Sequence, residues 1–273
     1  MSAFTRRADD ASWPPGIWHA AETDSTNLEA LRRAADTFAS GACFTADEQT
    51  AGRGRLGRKW VATRGHGLAF SLAYSHVTLP HEHLLWMHLA VAASVAAVAG
   101  TLSVAGRPGL KWPNDVVVID DGDPSPVRKL CGVLTETATE ADGNGLRVAI
   151  GCGINVNHTA DDFPPDLRDT ATSLRMLAGA VQSLDDIRSR VLREIATRHD
   201  AIARGDITAV RDEVRARSLL PGRNVEVTRP DGRVLAGRAH AIDDGGRLVL
   251  DADDGQRYTL DSGDVTRVRP RGR

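Results

Sequence analysis

Residues 49–60 read Gln-Thr-Ala-Gly-Arg-Gly-Arg-Leu-Gly-Arg-Lys-Trp, three glycines interleaved with three arginines in a stretch too short to be a linker. Gly52, Gly54 and Gly57 let the backbone reach positive φ and approach a ligand closely. Arg53, Arg55 and Arg58 carry planar, permanently charged forks suited to phosphate or carboxylate oxygens. The combination predicts an anion-binding loop, and the rest of the chain reads as support for it.

Three other readings of the loop fail on its surroundings. The glycines formally match G-x-G-x-x-G, but a dinucleotide fingerprint needs a buried strand before it and a helix after it. Here residues 60–67 are broken by glycine, and 68–74 are strand-like. A protein-kinase loop would require His-Arg-Asp and Asp-Phe-Gly strings, and neither occurs. A disordered Arg-Gly segment would repeat within low-complexity sequence, whereas this one occurs once among apolar positions.

With 273 residues the chain has room for one large domain and a small one. The formal net charge of −2 provides no global field for nucleic acid or anionic lipid, so anion binding must be local. Cys43, Cys131 and Cys152 lack C-x-x-C spacing, which argues for a reducing compartment and against structural zinc. The first fifteen residues have no apolar core and do not read as a secretory signal, so a cytoplasmic location is expected. Among 34 basic residues only Lys59, Lys111 and Lys129 are lysines. All three lie in the densest motifs, as expected where a compact ammonium is required.

Along the chain, 17–22 reads as a short strand. Thr26 followed by Glu29 has capping-box spacing and predicts a helix start, with Ser25, Thr26 and Asn27 offering hydroxyl and amide groups to a neutral polar ligand. Residues 41–48 read as a strand feeding the arginine loop. Residues 84–106 carry no formal charge and are long enough to span a bilayer, but their alanine richness fits a buried helix ending near Gly100. In Lys-Trp-Pro-Asn-Asp, 111–115, Pro113 blocks helix and holds Asn114 and Asp115 at the mouth of the apolar strand 116–119. An acidic hairpin loop is expected at 120–126. Strand 128–136 then brings Lys129 in beside Gly132. Gly151 and Gly153 punctuate strand 148–157 and mark a close backbone approach, while 158–173 reads as a mobile loop. Helices at 183–204 and 207–220 read as scaffold. From Gly222 onward, short strands joined by Asp-Gly turns predict a small β-barrel at 221–270, a separate module after a 17–220 domain and a 1–16 tail.

Taken together, Gly52-Arg-Gly-Arg-Leu-Gly-Arg-Lys-Trp60, Lys111-Trp-Pro-Asn-Asp115, Arg128-Lys-Leu-Cys-Gly132 and Gly151-Cys-Gly-Ile-Asn155 resemble the bacterial biotin protein ligases in order and approximate spacing. The resemblance implies an α/β (α+β) fold: a catalytic domain with a mixed sheet, related to class II aminoacyl-tRNA synthetases, followed by an SH3-like barrel. It implies that biotin and MgATP form biotinyl-5′-AMP, after which a lysine of a biotin carboxyl carrier domain takes the biotin. By positional match, Ser25, Thr26, Asn27, Gln49, Gly52, Arg53, Gly54, Arg55, Lys129, Gly132 and Gly151 would bind biotin. Arg53, Arg55, Arg58, Trp60, Lys111, Asn114 and Asn155 would bind ATP. Arg55 would retain the adenylate, Lys129 would hold the biotin carboxyl, and Asp115 would accept the acceptor lysine's proton. The 158–173 loop would order over the adenylate. The metal ligands are left open, as is the choice between monomer and weak homodimer. Regulatory members carry an N-terminal winged helix of some sixty residues, so with about sixteen residues before Ile17 no repressor activity is expected.

Two rivals remain. A lipoate or octanoyl transferring protein would share the carrier-lysine logic without combining these motifs. A nucleic-acid-binding protein is disfavoured by near-neutral charge and scarce aromatics.

Overall fold

The computed structural model describes residues 4–7, 14–33, 41–61, 63–77, 81–102, 105–120, 127–140 and 143–268. Most of the 1–16 tail and of the expected acidic loop at 120–126 lie outside these residues. Within them, eight strands form one mixed sheet. They are β1 (Thr5–Arg7), β2 (Ile17–Thr23), β3 (Ala42–Gln49), β4 (Gly67–Val77), β5 (Arg107–Lys111), β6 (Asp115–Ile119), β7 (Arg128–Thr139) and β8 (Leu146–Asn155), ordered β1-β2-β3-β4-β8-β7-β6-β5. Only the β2–β3 pairing is parallel, and helix α1 (Thr26–Arg33) makes that crossover. The other pairings are antiparallel.

Strand alternation sends Leu68, Phe70 and Leu72 of β4, and Val148, Ile150, Cys152 and Ile154 of β8, into one core. Helix α2 (His81–Thr101) packs on that face. Its stretch His83–Thr101 is long and apolar enough to cross a bilayer, yet most of it is buried inside the protein. It is the central core helix, roofed by α4 (Leu184–Ala203) and α5 (Ile207–Arg217); a short α3 (Leu174–Ala178) precedes them.

The capping-box expectation fails in detail. The amide of Ser25 is capped by Asp24 Oδ1 at 2.7 Å, and Thr26 Oγ1 turns away to Gln49. Glu29 pairs with Arg32 and Arg33 rather than reaching back to the helix start. Thr26 and Asn27 are thereby released from capping and face the opposite side of the sheet from α2.

Five antiparallel strands close the chain: β9 (Asn224–Thr228), β10 (Val234–Ile242), β11 (Leu248–Ala252), β12 (Arg257–Leu260) and β13 (Asp264–Val268), ordered β12-β11-β10-β9-β13. Asp-Gly and Gly-Gly turns join β9 through β12, as the hairpin chemistry predicts, and β13 returns to pair with β9. The apolar side of this sheet, Val225, Val227, Ala239, Ile242, Leu248, Leu250 and Val265, belongs to the same contiguous core as α2. Two buried indoles stitch the seam. Trp86 donates to the carbonyl of Asp244 at 2.9 Å and Trp112 to that of Gly246 at 3.0 Å.

A shared core predicts shared unfolding. Urea denaturation followed by far-UV circular dichroism and by tryptophan fluorescence should give one coincident transition, and Trp86→Ala should lower stability by about 3–5 kcal/mol. Acid adds a second test. His88, bonded to Thr135 Oγ1, and His199, bonded to the Tyr74 hydroxyl, are both pulled down by burial from 6.5 to about 4. Unfolded, each takes up a proton near pH 6.5, so between about pH 6.5 and 4 the unfolded chain binds more protons than the folded one. Stability should therefore be full above that window and fall through it, by roughly 1–3 kcal/mol per pH unit, read as the urea midpoint at successive pH values.

Candidate functional site

The face of the sheet opposite α2 is floored by small residues. On β8 the alternation that buries Cys152 and Ile154 turns Gly151 and Gly153 the other way, and on β7 it does the same for Gly132, directly in register with Gly153. A Cβ at Gly151 would overlap Asn27 Oδ1, and one at Gly153 would overlap the Trp60 indole. The floor is a trench because only hydrogen atoms stand there.

Lys129 reaches this trench through an irregularity in pairing. Val116 opposes Cys131, but Val117 opposes Lys129, so Leu130 is an extra residue against β6. Leu130 and Cys131 both enter the core, and the bulge turns Lys129 to the same side as Gly132. A Cβ on Gly132 would lie 3.2 Å from the Lys129 ammonium nitrogen. That ammonium pairs with Asp115 Oδ1 at 2.7 Å and stands 5.7 Å from the centroid of the Trp60 ring.

The start of α1 forms the far wall. Gln49 Oε1 accepts from the amide of Thr26 at 2.8 Å and from its hydroxyl at 3.1 Å. Ser71 Oγ lies 2.8 Å from Thr26 Oγ1 and 2.7 Å from Asn27 Oδ1. Asn27 Nδ2 donates to the carbonyl of Leu134 and to Glu136 Oε2. The side chains are therefore fixed in place while their remaining polar capacity faces the pocket.

The arginine loop closes the third side. Gly54 N bonds the carbonyl of Arg58 at 2.8 Å and Trp60 N that of Gly52 at 3.0 Å, while Leu56 and Gly57 turn the chain with φ of 56° and 73°. Each arginine has its own partner. Arg53 pairs with Glu136 at 3.1 Å. Arg55 donates to Asn114 Oδ1 at 3.0 Å and to the carbonyl of Gly263 at 2.9 Å. Arg58 pairs with Asp264. Burial pulls the Arg55 guanidinium down from its usual range, with Asp264 and Asp115 opposing that effect.

The pocket so enclosed measures about 470 Å³ with its open mouth included. Of the residues singled out from sequence, Ser25, Thr26, Asn27, Gln49, Arg53, Gly54, Arg55, Trp60, Asn114, Lys129, Gly132 and Gly151 line it. Gly52 and Arg58 instead line a shallow outer groove along the loop. Lys111 and Asp115 border a small cleft behind Trp112 and Pro113, Asp115 reaching the pocket through Lys129. Burial lowers the pKa of Lys111, opposed by Asp115 and Asp264. Asn155 stands further back, with Nδ2 3.4 Å from the carbonyl of Lys129.

Sequence reasoning passed over Ser71, Glu136, Gly263 and Asp264. Alternation along β4 and β7 could have pointed to the first two, but the others arrive from the C-terminal sheet and carry no local mark. The segment 158–173 is bonded to the rest of the domain at its far end. It brackets Lys129 with bonds from Lys129 N to Thr170 O at 2.7 Å and from Thr172 N to Lys129 O at 2.9 Å, and Ser173 Oγ ties it to His158. His158 stacks on Phe163, burying the segment's start.

Known proteins resemble this chain along most of its length. The model of the biotin/lipoate A/B protein ligase family matches residues 20–155, and that of the biotin protein ligase C terminal domain matches 222–267. The biotin-[acetyl-CoA-carboxylase] ligase of Mycobacterium tuberculosis is 37% identical over 252 residues, 91% of this chain and 88% of that protein. The bifunctional ligase/repressor BirA of Bacillus subtilis is 33% identical over 232 residues, 85% of this chain and 68% of its own length. Among solved structures, the biotin protein ligase from Aquifex aeolicus in complex with biotin and ATP aligns with a TM-score of 0.72 and 25% identity, covering 93% of this chain and 98% of that one. With a relative this similar along nearly the whole of both chains, the conclusion is that the chain belongs to the biotin/lipoate A/B protein ligase family, among its biotin protein ligases.

Proposed function

We propose that this protein activates biotin with ATP to biotinyl-5′-AMP and then transfers the biotin to one lysine of a biotin carboxyl carrier domain of an acyl-CoA carboxylase. The observation that carries the reading is Lys129, turned by the bulge onto a glycine trench that the arginine loop closes. Such a slot takes a flat bicyclic ring and fixes the carboxylate of its side arm beside an ammonium ion.

In the first step a carboxylate oxygen of biotin attacks the α-phosphorus of ATP, the new P–O bond forms, and the bond to pyrophosphate breaks. Two anions must meet, and charge builds on the leaving group, so cations are needed on both sides. Lys129 holds the carboxylate, with Asp115 orienting it. Arg55 lies within reach of the phosphates and of the adenylate once formed, and Arg58 and Lys111 add positive charge at the nucleotide end. Asn114, Asn155 and Trp60 complete the nucleotide side. Gln49, Ser25, Thr26 and Asn27 meet the ureido ring, and the segment 158–173 covers the adenylate from the Lys129 side, excluding water.

In the second step the neutral amine of the acceptor lysine attacks the carbonyl carbon of the mixed anhydride, AMP departs, and the amide forms. A free lysine with a pKa of about 10.4 is rarely neutral near pH 7, so a carboxylate is needed to take its proton. Asp115 is assigned that task. Mg²⁺ is proposed to arrive on the nucleotide. Among the described residues no group of three or more His, Cys, Asp and Glu side chains is placed to hold a metal, and Mg²⁺ commonly sits on phosphate oxygens and water. We place the enzyme in the cytoplasm, acting as a monomer or weak homodimer without DNA or membrane partners; three buried free cysteines suit a reducing compartment.

Exchange of labelled pyrophosphate into ATP should require biotin and should not occur with lipoate or octanoate, in the absence of any carrier. Exchange with lipoate alone would move the substrate within the family. Lys129→Arg keeps the charge but replaces a point ammonium with a fork, and should lower the exchange rate on the order of 100-fold or more; a near-normal rate would remove Lys129 from its assigned role.

A further inference from the structure

Hydrogen bonds and one ion pair around the pocket close into a ring. From Gln49 it passes to Thr26, Ser71, Asn27 and Glu136, and returns to the loop at Arg53, four residues beyond its start. Five elements meet in it: the end of β3, helix α1, strand β4, strand β7 and the arginine loop. Glu136 is the anionic member, and the floor residue Leu134 precedes it on the same face of β7.

We infer that Glu136 is a positioning residue for the acid substrate in the first half-reaction, acting through Arg53 and Asn27; the inference rests on the biotin ligase reading of the pocket. Its carboxylate divides its two oxygens. Oε2 accepts from Asn27 Nδ2 at 2.9 Å, and Oε1 stands 3.1 Å from Arg53 Nη1. The two partners differ in freedom. The side chain of Arg53 is 49% exposed, whereas that of Glu136 is 17% exposed and is held from the other side by Asn27. An arginine so placed would sample many rotamers if unpaired, and substrate binding would have to order it. The ion pair orders it beforehand and brings the near end of the loop down onto β7.

The same contact sets the amide of Asn27. With Nδ2 committed to Glu136 and to the carbonyl of Leu134, Oδ1 is left to face Ser71 over Gly151. That is the spot where the floor has no room for a side chain. Loss of the carboxylate would therefore disturb the slot at its narrowest point as well as at its lid. Arg55 and Arg58 would be spared, because Asn114, the carbonyl of Gly263 and Asp264 hold them independently. The effect should fall on the acid rather than on the nucleotide.

Glu136→Gln keeps an acceptor for Asn27 and nearly the same volume while deleting the charge that holds Arg53. In biotin-dependent pyrophosphate exchange by the full-length protein, this variant should raise the KM for biotin about tenfold and leave the KM for ATP within about twofold, with an unchanged thermal midpoint. Arg53→Gln should raise the KM for biotin at least as much, and the double variant should raise it no further than Arg53→Gln alone, because both remove one pair. Glu136→Asp should recover part of the loss. An unchanged KM for biotin in Glu136→Gln, equal rises for both substrates, or additive losses in the double variant would each overturn the inference. Absence of biotin-dependent exchange in the unsubstituted protein would instead overturn the functional reading beneath it, so the two failures are distinguishable.

Discussion

The site depends on the two-residue period of three neighbouring strands. On β4, β8 and β7 alternate side chains enter the core under α2, the bulge at Leu130 apart, while the intervening positions beneath the pocket include Ser71, Gly151, Gly153 and Gly132. One face is filled to organic-crystal density, and the other is lowered by the width of a methyl group or more. The depth of the pocket comes from absent side chains, whereas its rigidity comes from those packed beneath it. A catalytic trench of this kind needs no gap in the core and leaves the sheet's hydrogen bonding whole.

Above this floor the problem is electrostatic. A loop with three arginines and a lysine in seven positions repels itself, and here the repulsion is relieved by distributing the guanidinium groups among partners on separate elements. Glu136 comes from the catalytic sheet, Asn114 from the β5–β6 turn, and Gly263 and Asp264 from the C-terminal sheet. The last pair explains why the small module shares a core with the large one. Trp86, Trp112 and the apolar side of β9 to β11 hold it at the height where its β12–β13 turn meets the loop.

Much of this could be read from residue order. Interleaved glycine and arginine announce an anion loop, the Asp-Gly turns announce the small barrel, and alanine richness marks α2 as a core helix despite its length. Twelve of the residues singled out do line one pocket. What stayed hidden is non-local. Asp264 is one of 36 acidic residues and lies more than 200 positions from Arg58, so nothing nearby distinguishes it. The capping-box pattern misled because Gln49, brought alongside by the parallel β2–β3 pairing, competes for Thr26. The polarity and Pro-Pro pair of 158–173 gave no sign that Thr170 and Thr172 bond the backbone of Lys129, at an edge of β7 left open where β8 ends at Asn155.

The bulge at Leu130 gives the strand a counting constraint. Plain alternation puts residues three apart on opposite faces, so Lys129 shares the face of Gly132 only because the extra residue shifts the count by one. Leucine and cysteine in that interval need only be apolar and of suitable size, whereas the irregularity that lets both enter the core cannot be lost at this length. Straightening the pairing with both residues kept would complete the ladder and turn the ammonium into the packing of α2, whereas deleting one of them would return the lysine to the glycine's face by ordinary alternation. Substitution within this interval and loss of its bulge are thus different events: the first adjusts a core, and the second inverts the address of the charge.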